Sequence, residues 1–496
     1  MPLEPTRRNA LHGFAAMAVV IGFDPLNRLW VTDDGRQEGG ARRAASDTLE
    51  ALPPLDGTLL VDEASLAAAA DDYGHIVHRT PSAVLRPGSV ADIVAMVRYC
   101  NARGLKVAPR GQGHTTYGQA QTEGGLVVET SPLDRIGQVS GNTVTVGAGA
   151  LWSSVAKATL AHGLTPPVFT DYIELSVGGT LSVGGLGGQT HRHGSQLDTV
   201  TELKVVTGAG ELITCSPTRR ADLFRAVLGG LGQCAIIVGA TLRLVTAPET
   251  VRHYQLPYSD LETFLADQRR LVTEGRFSYV EGQVSAAEDG SFTTYVLEAV
   301  AYGPPAGPAP DDTQLLAGLR HDPAGAQIAD MGYYAFLDRL AAGVAALKEA
   351  GLWDWAHPWL NVMLPGDSAA PLAASLLQDL GPDDVGPGGV VLLYPLLRER
   401  LRQPMLRTPD DPVPYLMSVL RACPPGDTAT VDRLLAANRT AYETVRDSGG
   451  LQYPVGSIPF TAADWRDHFG PAWPQLAAAR KCYDPRGVLT PGQGVF

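Results

Sequence analysis

Several features that mark common protein classes are scarce in this sequence of 496 residues. It has five cysteines and no Cys-x-x-Cys pair, which excludes a disulfide scaffold and a zinc ribbon. Only 18% of the residues are charged, and acidic residues outnumber basic ones to give a net charge of −13. Such a balance is a poor fit to a protein that neutralises nucleic-acid phosphates, so we expect no nucleic-acid partner.

Motifs of several large enzyme classes are also absent. There is no Gly-Lys dipeptide, hence no P-loop, and no Gly-x-Gly-x-x-Gly dinucleotide fingerprint. Gly-x-Ser-x-Gly and His-Glu-x-x-His are missing too, which argues against an α/β-hydrolase or a zinc protease. His191 and His193 have the spacing of a metal pair, but no further cluster of ligands completes a shell, so we predict no metal site.

Apolar residues, glycine and proline are instead plentiful. Hydrophobic residues make up 45% of the chain, enough for a globular protein, and the length exceeds that of one compact domain, so at least two domains are expected. With 55 glycines and 37 prolines, the chain is rich in tight turns and in places where the backbone closely approaches another group.

The first residues allow two interpretations. Arg7 and Arg8 precede an apolar stretch over residues 11–23, which is the order of a bacterial twin-arginine export signal; the alternative is an ordinary N-terminal helix. The stretch is too short to cross a bilayer comfortably, and no small-x-small cleavage site follows at once. We therefore do not expect this chain to be a membrane protein. The sequence leaves both a cytoplasmic and an exported location open.

Between residues 80 and 248 the pattern predicts short strands that alternate with amphipathic helices. A strand over 83–85, a helix capped by Ser89 and a strand over 105–108 read as one βαβ unit. The predicted elements that follow are strands at 126–128 and 144–146, a helix over 152–162, a hairpin over 203–214 and a strand over 235–245. A mixed α+β architecture fits this region.

The pattern changes after Pro248. We predict a helix over 261–272, strands over 277–284 and 292–301, a surface linker in the glycine- and proline-rich stretch 303–310, and one helix over 328–350. The last forty or so residues return to compact sequence with frequent turns.

Two glycine-dense segments are the best candidates for a binding site. Residues 109–115 follow a predicted strand, so successive backbone N–H groups there can converge on an anion such as a pyrophosphate, and residues 176–188 have a similar density of glycine. His114 lies in the first segment, and Asp171 precedes the second. Taken singly, each segment also reads as a tight turn, His114 as a surface histidine and Asp171 as a helix cap or turn residue.

In combination these motifs resemble a known family. Residues 110–115, Asp171-Tyr172 and residues 177–182 look like the FAD-binding fold of the vanillyl-alcohol-oxidase superfamily, with its PCMH-type FAD domain. Cytokinin dehydrogenases and berberine-bridge-like bacterial oxidoreductases are the most similar members. Further matches fall in family order over residues 50–496; they include Arg192-His193-Gly194, Tyr279-Val280-Glu281-Gly282, His357–Asn361 and Pro491-Gly492-Gln493.

The resemblance implies an α+β fold with two domains. An FAD domain of two subdomains would comprise residues 46–248 and 455–496. A substrate domain over 249–454 would contain an antiparallel sheet covered by helices. Residues 1–45 would form a separate N-terminal segment that includes the possible signal.

The resemblance also implies a role for individual residues. His114 would bond covalently to the flavin 8α-methyl group, and Asp171 would accept a proton from the substrate while hydride leaves the adjacent carbon. Glu281 would be a second catalytic acid at the substrate entrance, and Trp359 and Asn361 would line the substrate pocket. The other cofactor-binding residues would be Arg110, Gly111, Gln112, Gly113, Thr115, Gln119, Gly178, Gly179, Thr180, Ser182, Gly185, Ile237, Tyr453 and Gln493.

The function implied is oxidation of a secondary amine, as in cytokinin dehydrogenases, with oxygen or a quinone as electron acceptor and the protein a monomer or homodimer. One alternative is an oxidase of an alcohol or amine in secondary-metabolite biosynthesis. Another is a non-catalytic flavin-binding protein. Thr115 departs from the serine usual in plant cytokinin dehydrogenases, so the exact substrate stays open.

Overall fold

The computed structural model of the protein describes residues 19–32, 49–303 and 310–496. Arg7 and Arg8, on which the export signal was predicted, lie outside the described residues, as does most of the predicted linker. The described end of the apolar stretch, residues 20–23, is strand rather than helix. None of the helices in these ranges is long and apolar enough to cross a membrane.

The described strands are, in chain order, β1 (Val20–Asp24), β2 (Leu29–Thr32), β3 (Thr58–Leu60), β4 (Ala83–Arg86), β5 (Val107–Arg110), β6 (Leu126–Glu129), β7 (Thr143–Gly147), β8 (Leu164–Thr165), β9 (Val200–Thr207), β10 (Leu212–Cys215), β11 (Ala235–Arg243), β12 (Val245–Thr246), β13 (Thr250–Tyr258), β14 (Tyr279–Ser285), β15 (Thr294–Tyr302), β16 (Gln327–Gly332), β17 (Leu360–Leu364), β18 (Val390–Pro395), β19 (Tyr415–Leu420) and β20 (Leu451–Gln452).

The described α-helices are α1 (Glu63–Ala69), α2 (Val90–Arg103), α3 (Trp152–Leu160), α4 (Val177–Val183), α5 (Thr190–His193), α6 (Ala221–Val227), α7 (Leu261–Glu274), α8 (Asp312–Leu315), α9 (Tyr333–Leu337), α10 (Ala341–Glu349), α11 (Ala369–Gln378), α12 (Pro382–Val385), α13 (Thr428–Asp447), α14 (Ala462–Phe469) and α15 (Trp473–Tyr483).

The predicted βαβ unit is present as β4, α2 and β5. Its two strands both run parallel to β6, which lies between them, and β3 completes a four-stranded sheet. Helix α2 starts at a capping box of Ser89 and Asp92 and ends at Gly104, whose φ of 64° is the left-handed conformation that favours glycine. The residues at both ends of this helix are thus of the types that cap helices.

A second four-stranded sheet is fully antiparallel, in the order β10-β9-β11-β7. It contains the predicted hairpin and the predicted long strand. Near the C-terminus the chain returns to the first sheet, where the backbone of Val107 bonds to Val488 and Thr490 at 2.8 Å each. The last residues thus complete a region that is formed mainly by the first half of the chain.

The largest sheet has eight antiparallel strands, in the order β16-β13-β15-β14-β18-β19-β17-β20. On one face, apolar residues such as Val362 and Met417 pack against helices α7, α11 and α13. On the other face, residues such as Met363 and Leu416 join the core formed with the second sheet. This α+β arrangement, with a helix-covered antiparallel sheet, agrees with the expected fold class.

One predicted element is wrong. Residues 328–350 are not a single helix: Gln327–Gly332 form edge strand β16 on β13, and two separate helices, α9 and α10, follow. The apolar spacing there is compatible with a helix, but the open edge of β13 offers the backbone of residues 327–332 an unbroken ladder of hydrogen bonds. Helix α10 has no buried residue, so tertiary packing contributes little to it.

A network of buried hydrogen bonds around Asn438 joins three distant segments beside the eight-stranded sheet. The side-chain amide of Asn438 donates to the carbonyls of Pro358, Trp359 and Ser457 at 3.2, 3.3 and 3.0 Å, and its oxygen accepts from Arg421. The Ser457 hydroxyl lies 2.9 Å from the carbonyl of Thr116. This network fixes the relative positions of residues 116, 357–361 and 455–457.

Replacing Asn438 by Ala should lower the free energy of unfolding by about 3 kcal/mol, because it leaves several buried polar groups without partners. Chemical denaturation of the purified protein measures this change. The exposed Asn142→Ala, in a surface turn, is the control and should change stability by less than about 0.5 kcal/mol. Equal effects of the two substitutions would contradict a stabilising role for the hydrogen-bond network around Asn438.

Candidate active site

A cavity of about 820 Å³ lies where the eight-stranded sheet, the two glycine-dense segments and helix α10 meet. All the residues to which the resemblance assigned cofactor or substrate contacts line it, from Arg110 to Gln493 and including Trp359 and Asn361. The volume lies within the range of about 300–1,000 Å³ that is usual for small-molecule and cofactor sites. Glu281 alone among the predicted site residues does not line the cavity.

The first glycine-dense segment begins where β5 ends. A Cβ atom on Gly111 would lie 2.1 Å from the hydroxyl oxygen of Ser176, so the two glycine-dense segments touch at a distance that only glycine permits. Gly113 has a φ of 64°, again in the left-handed region. These two glycines are required by the close approach and the turn, and they leave the surrounding backbone open to the cavity.

The second segment is partly helical rather than a loop throughout. Residues 177–183 form α4, and Gly178, Gly179, Thr180 and Ser182 face the cavity from it. Gly187 and Gly188 do not line the cavity: their Cβ atoms would lie 2.0 Å from the carbonyl of Phe169 and 2.6 Å from the ring of Tyr279. Internal packing therefore explains part of the glycine density in this segment.

His114 stands in a cluster of aromatic rings on the cavity wall. Its imidazole lies 4.1 Å from the ring of Tyr73, centre to centre, and 5.2, 5.8 and 6.0 Å from those of Tyr172, Trp359 and Trp353. Burial lowers the pKa of His114 to about 3, so the ring is neutral at physiological pH. A neutral imidazole can act as a nucleophile.

Asp171 lies on the cavity wall and is held through one oxygen only. Its Oδ1 accepts from the hydroxyl of Tyr279 at 2.9 Å and from Nη2 of Arg339 at 2.7 Å. Among the described residues no donor contacts Oδ2 of Asp171. The side chain is 22% exposed, so this second oxygen is available to a ligand in the cavity.

Arg339 binds a second carboxylate as well. Its Nε lies 3.2 Å from Oε1 of Glu298, which in turn lies 2.9 Å from Nε2 of His253. Burial acts to raise the pKa of Glu298, but the nearby Arg339 and His253 outweigh it and the pKa is lowered overall. One guanidinium thus contacts two carboxyl groups, those of Asp171 and Glu298.

The expected position of Glu281 at the substrate entrance is wrong. Its side chain is 1% exposed and does not line the cavity; it lies on β14, directly across from Glu298 on β15 and on the same face of the sheet. Burial and the charge of Asp171 raise the pKa of Glu281 well above its usual range. Burial therefore favours the neutral form of Glu281.

The sheet register sets a row of four side chains, three of them polar, along the floor of the cavity. Across neighbouring strands, Gln283 is opposite Leu392, Leu392 is opposite Ser418, and Ser418 is opposite Asn361. Since facing residues in adjacent strands point to the same side, all four line the cavity. The Nδ2 atom of Asn361 is buried without a partner among the described residues.

Several residues of the site were not predicted from the sequence. Arg339 lay inside the stretch wrongly predicted as one helix, and Glu298 lay in a strand with no nearby motif. Asp72 and Tyr73 precede the first predicted strand of the βαβ unit, yet they pack against His114 and its neighbours. Of the side chains that contact Asp171, only Tyr279 could be found from the sequence, since the resemblance includes the motif Tyr279-Val280-Glu281.

Comparisons with known proteins agree with this site. One family model, described as an FAD binding domain, matches residues 81–216, and another, described as Cytokinin dehydrogenase 1, FAD and cytokinin binding, matches residues 291–496. Cytokinin dehydrogenase 10 of Oryza sativa subsp. japonica is 37% identical over 483 residues, which cover 88% of each chain. The chain belongs to the cytokinin dehydrogenase family.

Other members and a solved structure extend the comparison. An uncharacterized oxidoreductase, ORF5 in the fasciation locus of Rhodococcoides fascians, is 39% identical over 438 residues, 88% of this chain and 99% of that protein. The crystal structure of 6-hydroxy-D-nicotine oxidase from Arthrobacter nicotinovorans superposes with a TM-score of 0.67 at 22% identity, covering 88% and 96% of the two chains. The protein is therefore an FAD-linked oxidoreductase, and its PCMH-type α+β fold is confirmed.

The residues present fit the FAD that this family binds. The glycines at positions 111, 113, 178, 179 and 185 let the segments that line the cavity pack closely, since a Cβ atom at any of them would lie 2.1–2.9 Å from a neighbouring protein atom. The Oε1 atom of Gln493 and the Nδ2 atom of Asn361 are buried and lack partners within the described ranges, so both can bond to a ligand. His191, by contrast, faces carbonyl oxygens with both ring nitrogens, and no cluster of three potential metal ligands occurs in the described residues.

The buried histidines should make the fold sensitive to acid. Burial lowers the pKa to about 3 for His114 and His468 and to about 4 for His191, His193 and His357, against 6.5 in an exposed histidine. The unfolded chain therefore takes up these protons first. Their stabilising effect is complete above pH 6.5 and is lost as the pH falls towards 4 and 3, so the thermal midpoint should drop over that interval.

His468→Phe isolates one of these groups. This histidine is 2% exposed and does not line the cavity, so its removal leaves the cofactor site intact. We expect the slope of unfolding free energy against pH to decrease by about 1.4 kcal/mol per pH unit between pH 6 and 4, the value for one proton. An unchanged slope would contradict the assignment.

Proposed function

We propose that the protein oxidises the C–N bond of a secondary amine of the cytokinin class, with Asp171 as the base that accepts the proton from nitrogen. The observation that carries this proposal is the free Oδ2 of Asp171, which lies on the cavity wall while Tyr279 and Arg339 hold the other oxygen. Removing a hydride from the carbon next to nitrogen requires removing the N–H proton as well, and an oriented carboxylate serves that purpose. FAD, when bound, supplies the hydride acceptor.

The charges around Asp171 support its role. Asp171 and Glu298 share one guanidinium, Arg339, and burial favours the neutral form of Glu281. A carboxylate at Asp171 stabilises positive charge that develops on the substrate nitrogen, and uptake of a proton by Asp171 leaves Arg339 paired with Glu298. We propose that Glu281 acts through its neighbours and does not meet the substrate itself.

The walls of the cavity support a planar, nitrogen-containing substrate. Trp359 contributes an aromatic wall and Asn361 an unpaired N–H donor beside the polar row of the sheet. We assign these residues to substrate binding, within a substrate domain of residues 249–454. Residues 46–248 and 455–496 would then form the FAD domain.

We further propose that His114 is bonded covalently to the 8α-methyl group of the flavin. The neutral ring of His114 on the cavity wall supports this attachment. Forming the bond removes the N–H proton of His114 and one hydrogen of the methyl group, and the two electrons released pass to the oxygen or quinone that also serves turnover.

Purified protein mixed with isopentenyladenine and a quinone dye should bleach the dye and release adenine. Adenine alone, which lacks the C–N bond to be oxidised, is the control and should give no bleaching. Lack of turnover with any cytokinin would overturn the substrate assignment. Bleaching by alcohols or other amines instead would favour an oxidase of secondary metabolism.

Asp171→Asn should lower kcat about 10²–10⁴-fold, because an amide cannot accept the proton. The visible spectrum of the bound flavin should stay as in the wild type, which separates lost chemistry from lost cofactor. Asp338→Asn is the matched control, since Asp338 lies on a neighbouring side cavity with Asp171 but not on the main one. Wild-type turnover in Asp171→Asn would rule out the proposed base.

His114→Ala tests the covalent bond separately. Acid precipitation of the wild-type protein should leave flavin fluorescence in the pellet, and in His114→Ala the fluorescence should move to the supernatant. His193→Ala, at a histidine outside the cavity, should behave as the wild type. Flavin that stays in the pellet of His114→Ala would show that another residue holds it.

A further inference from the structure

Residues 71–75 lie against the loop that carries His114. This segment has no regular secondary structure and no motif that the site described above uses. Its contacts nevertheless fall on the residues directly before and after His114.

The carboxylate of Asp72 is the centre of these contacts. Its Oδ2 accepts from the hydroxyl of Thr115 at 2.7 Å and from the backbone N–H of Gly118 at 2.8 Å, and its Oδ1 accepts from the N–H of Gly74 at 3.0 Å. The residue is 3% exposed. The bonds from Thr115 and Gly118 join the loop to the segment, and that from Gly74 orients the carboxylate; hydrogen bonds to a charged acceptor are stronger than neutral ones.

Backbone and ring contacts complete the support. The N–H of Tyr73 donates to the carbonyl of Gly113 at 2.8 Å, and the N–H of Gly74 donates to that of Thr115 at 3.1 Å. The Tyr73 ring lies between two imidazoles, 4.1 Å from His114 and 4.0 Å from His357. Both chain neighbours of His114, and its ring, are therefore held by residues 72–74.

We propose that Asp72 is a positioning residue for the flavin linkage: it holds residues 113–118 in the conformation that presents the His114 imidazole to the cavity. The proposal rests on the covalent attachment proposed above. Asp72 itself lies outside the cavity wall, so it acts on the linkage through Thr115, Gly118 and Gly74. Burial raises the pKa of Asp72 to about 6, against these hydrogen bonds, so the carboxylate that accepts all three is present at neutral pH.

The chain offers a close control in Asp198. Its carboxylate also accepts from one hydroxyl and two backbone N–H groups: those of Ser195 at 2.7 and 2.8 Å and that of Arg402 at 2.9 Å. It holds a different loop, which does not carry His114. Asp72→Asn and Asp198→Asn therefore remove chemically equivalent interactions at two places.

The test compares full-length wild type, Asp72→Asn and Asp198→Asn for total flavin, for flavin retained in the acid-precipitated pellet, and for thermal midpoint. In Asp72→Asn we expect the covalent fraction to fall at least about tenfold, with FAD recovered in the supernatant, because a small displacement of a reacting group slows bond formation strongly. Asp198→Asn should keep the wild-type covalent fraction even if its thermal midpoint falls as far.

A second pair of variants keeps the test decisive if Asp72→Asn does not fold. Thr115→Val removes one of the three hydrogen bonds to Asp72, whereas Thr115→Ser retains its hydroxyl. The covalent fraction should fall in Thr115→Val and persist in Thr115→Ser. Equal covalent fractions in these two variants would overturn the proposal.

The remaining outcomes separate the two proposals. A wild-type pellet without flavin would overturn the covalent attachment and this inference together. A wild-type pellet with flavin, and an equal covalent fraction in Asp72→Asn, would overturn only the role of Asp72. Loss of covalent flavin in both Asp72→Asn and Asp198→Asn would indicate a general loss of stability and would also overturn it.

Discussion

The buried guanidinium of Arg339 decides how one end of the cavity is arranged. It lies 2.7 Å from Asp171, 2.5 Å from the hydroxyl of Tyr279 and 3.2 Å from Glu298, and so connects the segment before α4 to strands β14 and β15. Without this cation, the partners left among the described residues would be the hydroxyl of Tyr279 for Asp171 and the ring of His253 for the buried Glu298, and removing one partner of a buried charge is costly. Arg339 and Tyr279 together set the orientation of Asp171, and with it the free oxygen on the cavity wall.

The eight-stranded sheet supplies the rest of the wall through its register. Alternation along each strand sends Val362 and Met417 to the helix-covered face and Asn361 and Ser418 to the cavity. A shift of one residue in β17 would exchange these sets, so the hydrophobic packing of α13 and α11 on the far face also determines which polar groups face the cavity. The packing of the core and the polar lining of the cavity are thus set by the same alternation.

Local signals and long-range contacts differed in how well they could be predicted. Capping residues and glycine at the end of α2, the hairpin β9–β10 and the helix α7 follow from neighbours within a few residues, and the structure has them where the sequence predicts them. Residues 327–332 became a strand because the edge of β13, more than seventy residues earlier in the chain, was available to them. Arg339 and Glu298 belong to the site for a similar reason, since elements far apart in sequence bring them to Asp171.

The amino-acid sequence by itself determined the family, the flavin cofactor and a set of the residues that line the cavity, because glycines where the backbone packs closely and a few polar side chains at fixed spacing leave a readable pattern. Only the tertiary structure decided which charges meet. Glu281 is a candidate entrance residue in the sequence, yet its side chain on β14 is 1% exposed, and burial and the nearby charge of Asp171 raise its pKa well above the usual range. Its environment is formed by side chains from distant segments, and the ionisation of a buried carboxyl depends on that environment rather than on the residues next to it in the chain.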